Sequence, residues 1–346
     1  MLAILNVYYK KQECTIFAFP RIKKKEGMPL KRDVTTKLLE EYPDVFADIG
    51  NVNLYGGKPV ISPDDLELLP SNLSYQDMAG THRELRPDIR MRVRTSGIDI
   101  SIICVENQTG ICNTMPVRDM GYEYASYEAQ IREIKAKNKK DGKNYYTREI
   151  GNDQKLTPVI PLILYFGKEP WTTPLSLLDL LAIPENQKQW VEPLIQNHYI
   201  RLIHLRTQNA ETRSMYRSDF RYVVDFLAYQ NNMNDYLRFM KNDTGTIQHP
   251  EALLDVMNAL TGDNRYQRVK ETLKEHIDKK ERITMVSFAE ELENRGIERG
   301  IEKGMDTINH LIERLMEDGR TDDLLRSAKN PDYQQTLLRE YGIKTP

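Results

Sequence analysis

Asp88, Glu106 and Gln108 are the residues whose types and spacing best suit chemistry in this chain. Glu106 directly follows Ile102-Ile103-Cys104-Val105, an apolar run that suits a strand buried on both faces. Gln108 lies two positions on, hence on the same strand face as Glu106. Asp88 follows Pro87 at the start of the preceding strand. A carboxylate that ends a buried strand is costly unless it is paired or metal-bound. Mg²⁺ prefers oxygen ligands, one or two of them carboxylates and the rest water and substrate phosphate oxygen. Two carboxylates at one sheet edge would meet that requirement. The competing assignment has Asp88 cap the strand and Glu106 pair with Arg86 or Arg118, and spacing leaves both open.

These groups depend on the elements that carry them. Asp88 to Arg94 and Ile98 to Gln108 read as a hairpin around Thr95-Ser96-Gly97. A three-residue loop pairs Arg94 with Ile98 and Asp88 with Cys104, which makes Asp88 and Glu106 diagonal neighbours on one face, roughly 7–8 Å apart. A two-residue Ser96-Gly97 loop gives a cleaner apolar face of Ile89, Met91 and Val93 with Ile100, Ile102 and Cys104. It sends Asp88 and Glu106 to opposite faces unless a bulge intervenes. Before the hairpin, Lys31 to Ile49 reads as the first helix, and Gly56-Gly57, Pro59, Pro63 and Pro70 mark a loop region. After it come a long helix from Met115 to about Lys139, a buried strand from Thr157 to Phe166 and a last strand from Ile200 to Leu205. From Arg217 onward the pattern is helical. The order predicts an α/β core with a helical C-terminal extension.

Four stretches in order carry a family resemblance: Pro87-Asp88-Ile89; Cys104-Val105-Glu106-Asn107-Gln108; Met115 to Tyr122; and Pro158 to Gly167. The region from roughly Arg32 to Leu205 resembles the Rpn family of recombination-promoting nucleases, also labelled transposases, which is similar to the PD-(D/E)XK nuclease superfamily. The resemblance implies a restriction-endonuclease-like core, a central mixed sheet flanked by helices. It implies that Asp88 and Glu106 hold Mg²⁺ and that Gln108 fills the third motif position. It makes Asp48, in the first helix, an auxiliary metal ligand, against a plain helix-end solvent contact. Arg118 and Tyr122, four apart on the helix after the site, would share a face and reach phosphate, although Tyr122 also fits a core position. Gln108 stands where Lys is common in the superfamily, and Gln cannot serve as a general base. The expected activity is therefore hydrolysis of DNA phosphodiester bonds by metal-activated water, with Gln108 orienting that water. The alternative is a non-cleaving DNA-binding or assembly protein on the same scaffold.

Composition narrows the classes further. Hydrophobic residues make up 40% and charged residues 29% of the 346, as in an ordinary globular protein. No apolar run approaches the ~20 residues needed to cross a bilayer, and Lys23-Lys24-Lys25 follows the apolar start, the wrong order for a secretory signal. The expectation is a cytoplasmic protein without a membrane partner. Cys14, Cys104 and Cys112 show no metal-binding spacing, and their odd count argues against a disulfide framework. Gly56-Gly57 lacks the phosphate-loop pattern, which disfavours a small-molecule phosphohydrolase.

A net charge of −2 makes no global field for a polyanion, so DNA binding needs a local patch. Lys135, Lys137, Lys139, Lys140 and Lys143 offer one, opposed in sequence by Asp141; a solvated helix end is the bland alternative. Gly296, Gly300 and Gly304, spaced by four, form either a stripe for close helix packing or a flexible joint. The expected organisation is an appendage at 1–27 with Met28 a candidate start, a nuclease core at 28–215, a helical extension at 216–290 and a small helical module at 291–346. A homodimer through the helical C-terminal part is expected, since duplex cleavage commonly needs two sites.

Overall fold

The computed structural model describes residues 39–76, 82–85, 87–142, 149–230, 232–262 and 264–343; for 74–76, 82–85, 233 and 297–303 it describes backbone alone. The appendage at 1–27, the start of the first helix, Arg86 and Lys143 lie outside the described residues. Where the first helix enters them it is broken at Tyr42, held extended at φ −71° and ψ 128°. Pro43 is the reason, because its ring disfavours helical geometry in the residue before it. Helix α1 restarts there and runs Pro43–Tyr55, past the expected end at Ile49, until Gly56 turns left-handed at φ +61°. It buries Val45, Phe46, Ile49 and Val52.

The sheet is mixed and five-stranded, in the order β1 (Leu66–Leu69), β4 (Ile89–Thr95), β5 (Ile98–Gln108), β6 (Val159–Tyr165), β7 (Leu202–His204). The first two pairings are antiparallel and the last two parallel. β2 (Leu73–Gln76) and β3 (His82–Leu85) form a separate antiparallel pair. The α/β core with its central mixed sheet is thus as the sequence predicts; β1 falls within the predicted loop region, and β2 and β3 lie between that region and the expected hairpin, where the sequence suggests no element. β5 is central and covered on both sides. Ile103 and Val105 enter the main core with α1, while Ile102 and Cys104 pack with Val159 and Tyr127 of helix α2 (Met115–Lys140).

The hairpin between β4 and β5 sets the register at the site. Ser96 (φ 53°) and Gly97 (φ 80°) make a two-residue turn with both central residues at positive φ. Thr95 pairs with Ile98 and Arg94 with Asp99, but the register then steps, so that Val93 faces Ser101 and Ile89 faces Val105. Ile100 is the extra residue of a β-bulge. The partners of Ile89, Met91 and Val93 are therefore Val105, Ile103 and Ser101, and not the Cys104, Ile102 and Ile100 of a plain two-residue hairpin. Extended by one residue, the stepped register sets Asp88 opposite Glu106 on a single face, as the plain hairpin would not.

Beyond β7 the chain is helical: α3 (Ala210–Met215), α4 (Phe220–Tyr229), α5 (Met233–Asn242), α6 (Pro250–Thr261), α7 (Arg265–Asp278), α8 (Met285–Glu317), α9 (Thr321–Ser327) and α10 (Pro331–Glu340). One core cluster joins α1 and the sheet to Phe220, Val256 and Met285, so residues on both sides of position 215 share it. Leu311, Leu315, Leu337 and Leu338 form a separate cluster. α8 continues unbroken through the three glycines, and a Cβ at Gly296 or Gly304 would meet nothing within 4 Å. Among the described residues no helix is long and apolar enough to cross a membrane.

Candidate active site

Glu106 is 6% exposed near the C-terminal end of β5, facing α2. Its Oε1 accepts from Gln108 Nε2 at 2.7 Å and from Arg118 Nη2 at 2.5 Å. Asp88, just ahead of β4, accepts the Asn107 backbone N–H on Oδ2 at 2.8 Å, which fixes the carboxylate across from Glu106. The bulge at Ile100 has thus brought Asp88, Glu106 and Gln108 to one face at one end of the central strand. Glu106 Oε2 is buried, and among the described residues it has no hydrogen-bond partner.

Burial pushes the Glu106 carboxyl up to about 7; the charge of Asp88 adds to this, and Arg118 opposes it. Burial wins for a visible reason. The Arg118 side chain is 35% exposed and divides Nη2 between Glu106 and Tyr122, while Oε2 faces no donor. An orphaned buried oxygen of this kind is unfavourable alone. A divalent cation shared with Asp88 would satisfy it, so the donor set fits an oxygen-preferring ion such as Mg²⁺.

Arg118 and Tyr122 do share a face of α2, but both turn toward the carboxylate. Arg118 Nη2 donates to the Tyr122 hydroxyl at 2.7 Å as well as to Glu106. Tyr122 is 2% exposed, which corrects the expectation that it reaches phosphate directly: it props Arg118 from inside the core. Burial, with the nearby Glu106, raises its phenol above the ordinary range.

Asp48 does not join this group. It lies on α1, on the other side of the sheet, and its Oδ2 accepts from Arg217 N, Ser218 N and Ser218 Oγ, each at 2.7 Å. Three donors from the loop before α4 hold it as a tether between α1 and the helical part. The helix carboxylate that approaches the end of β5 is instead Glu40, fully buried, whose Oε2 accepts from Asn107 Nδ2 at 2.7 Å. Sequence reasoning misses Glu40 because nothing in the pattern links residues 67 apart.

The lysine cluster ends α2, with Lys137, Lys139 and Lys140 exposed or basic in its last turn. Lys135 is neutralised by Glu149 at 2.5 Å, so the cluster is smaller than the sequence suggests. At 1.5 Å per residue, Lys139 sits about 30 Å along the helix from Arg118. Near the start of α2, Asp119, Glu123 and His198 form the one group of three or more His, Cys, Asp or Glu, among the described residues, whose ligand atoms all lie within 4.8 Å. That group could hold a metal ion, and sequence reasoning misses it because His198 lies in a segment without periodicity.

A family model described as putative transposase, YhgA-like, matches residues 83–253. No curated protein and no solved structure matches the chain. The matched segment contains Asp88, Glu106, Gln108, Arg118 and the whole sheet from β4 to β7.

Proposed function

From the match of residues 83–253 to the family described as putative transposase, YhgA-like, we propose that the chain is a metal-dependent endonuclease that hydrolyses DNA phosphodiester bonds. The observation that carries the reading is the bulge-set register that, extended one residue past Ile89 and Val105, places Asp88 beside a buried Glu106 whose Oε2 has no donor among the described residues. Asp88 and Glu106 would hold Mg²⁺. A cation bound there supplies charge that lowers the pKa of a bound water and stabilises negative charge on the phosphate.

The chain's own residues do the rest. The Asn107 N–H holds Asp88 in place, and Tyr122 holds Arg118. Arg118 carries a permanent positive charge beside the carboxylates, where an incoming phosphate would meet it. Gln108 gives an amide hydrogen to Glu106, and its amide oxygen keeps the capacity to accept from a water and orient it. Glu106 must be ionised to act as a ligand. With its carboxyl near 7, metal affinity and cleavage should rise across neutral pH. Lys137, Lys139 and Lys140 would grip the DNA backbone away from the reacting bond.

The ion pair between Arg118 and Glu106 favours one other reading, a non-cleaving DNA-binding protein in which Arg118 permanently neutralises the carboxylate. Incubation of supercoiled plasmid with Mg²⁺ and with EDTA separates the two. Nicked or linear product that needs Mg²⁺ supports the endonuclease. A gel shift without cleavage under any divalent ion supports the binder.

A further inference from the structure

Asp119 and Glu123 lie one turn apart on α2, and His198 reaches them from the segment before β7. His198 Nε2 is 2.7 Å from Asp119 Oδ2, and its Nδ1 is 4.0 Å from Glu123 Oε2. Asp119 is 1% exposed, yet its second oxygen, Oδ1, is buried and has no hydrogen-bond partner among the described residues. A histidine proton can satisfy Oδ2 but not Oδ1. A cation held by all three side chains would satisfy both the buried oxygen and the paired negative charge of Asp119 and Glu123.

We propose that Asp119, Glu123 and His198 bind one divalent transition-metal ion of the zinc class, at a site separate from Asp88 and Glu106. An imidazole with two carboxylates suits zinc, whereas Mg²⁺ favours oxygen ligands and retained water. Three protein ligands leave a coordination position for water, as in open zinc sites. Glu123 and His198 are partly exposed, which gives the ion a way in. The two sites are distinct in the fold: Ile163 of β6 pairs with Glu106 on one side and Leu202 on the other, so Glu106 and Leu202 stand two strand spacings apart, about 10 Å. His198 lies four residues before Leu202. The ion would clamp the chain entering β7 against α2, one residue from Arg118, and so brace the helix that carries the arginine. The inference does not rest on the endonuclease reading.

The test uses the full chain, stripped of metal and titrated with Zn²⁺ by calorimetry and with Co²⁺ by visible absorption. The expected result is one tight equivalent that survives in an Asp88→Asn/Glu106→Gln double variant and resists a roughly hundredfold excess of Mg²⁺. It should weaken by about tenfold or more in Glu123→Gln and in His198→Gln, since losing a ligand costs at least what losing its support does. Both positions are partly exposed, so folding should survive, and circular dichroism checks it. The Co²⁺ spectrum of the unmodified protein needs no variant at all. Absence of tight Zn²⁺ binding and of Co²⁺ bands would overturn the proposal, leaving the triad as a hydrogen-bonded cluster. Unchanged affinity in both single variants, or loss of the tight equivalent in the double variant, would overturn it equally.

Discussion

Replacing Glu106 by Gln keeps the side chain's size and removes its charge, and the consequences for stability and activity should point in opposite directions. In the folded protein burial holds this carboxyl near 7, against 4.5 in an unfolded chain. A pKa raised on folding means that the neutral form favours the fold: the stability is fully present below about 4.5 and is lost as pH rises through 7. The interval corresponds to roughly 3 kcal/mol, at 1.36 kcal/mol per unit. Metal-free Glu106→Gln should therefore match the parent near pH 4.5 and exceed it by up to roughly 3 kcal/mol at pH 8. Urea unfolding in EDTA at both pH values measures this, and comparison of variant with parent cancels the other titrating groups. The same variant should lose Mg²⁺-dependent cleavage, because the site holds its charge at the expense of stability. A difference that stays constant with pH, or a parent more stable at pH 8, would show that Arg118 and not burial governs Glu106.

Gln108→Lys should retain measurable cleavage, whereas Gln108→Leu should lose most of it with metal affinity largely intact; equal rates for Leu and Gln would remove the water-orienting role. Joint replacement of Lys137, Lys139 and Lys140 by Ala should weaken binding to all DNA sequences alike and flatten the salt dependence by about one counterion for each phosphate left without its lysine. Fluorescence anisotropy at several salt concentrations reads this, and unaltered slopes would leave the lysines as a solvated helix end. Asp48→Ala should destabilise the fold by about 2 kcal/mol or more by removing the charged hydrogen bonds to Arg217 and Ser218, with Mg²⁺ affinity unchanged. Weakened Mg²⁺ binding at full stability would return Asp48 to the site.

How far the site is legible in the sequence depends on range. The continuous apolar run before Glu106 identifies the central strand, because a strand covered on both faces cannot alternate. The register is not legible, since the bulge falls at Ile100, a residue with no turn or bulge signature, and one extra residue decides whether Asp88 faces Glu106. Asp48 and Glu40 change places for a similar reason. Both are carboxylates near one helix, and only contacts with Ser218 and with Asn107, far away in sequence, separate tether from neighbour of the site. Glu149, which neutralises Lys135, is hidden in a loop beyond the helix end. Tyr122 allows two readings by its helical spacing, and burial selects the core one.

Plasmid cleavage by the Asp88→Ala variant bears on the proposed metal pair with the fewest intervening assumptions, provided DNA binding is measured on the same preparation. Asp88 is partly exposed and its replacement removes a ligand without core volume, so the variant should fold and bind DNA as the parent does. No Mg²⁺-dependent nicking is expected from this variant under conditions where the parent converts supercoiled plasmid. Cleavage at the parental rate would contradict the assignment of Asp88 and Glu106 as the metal-holding pair.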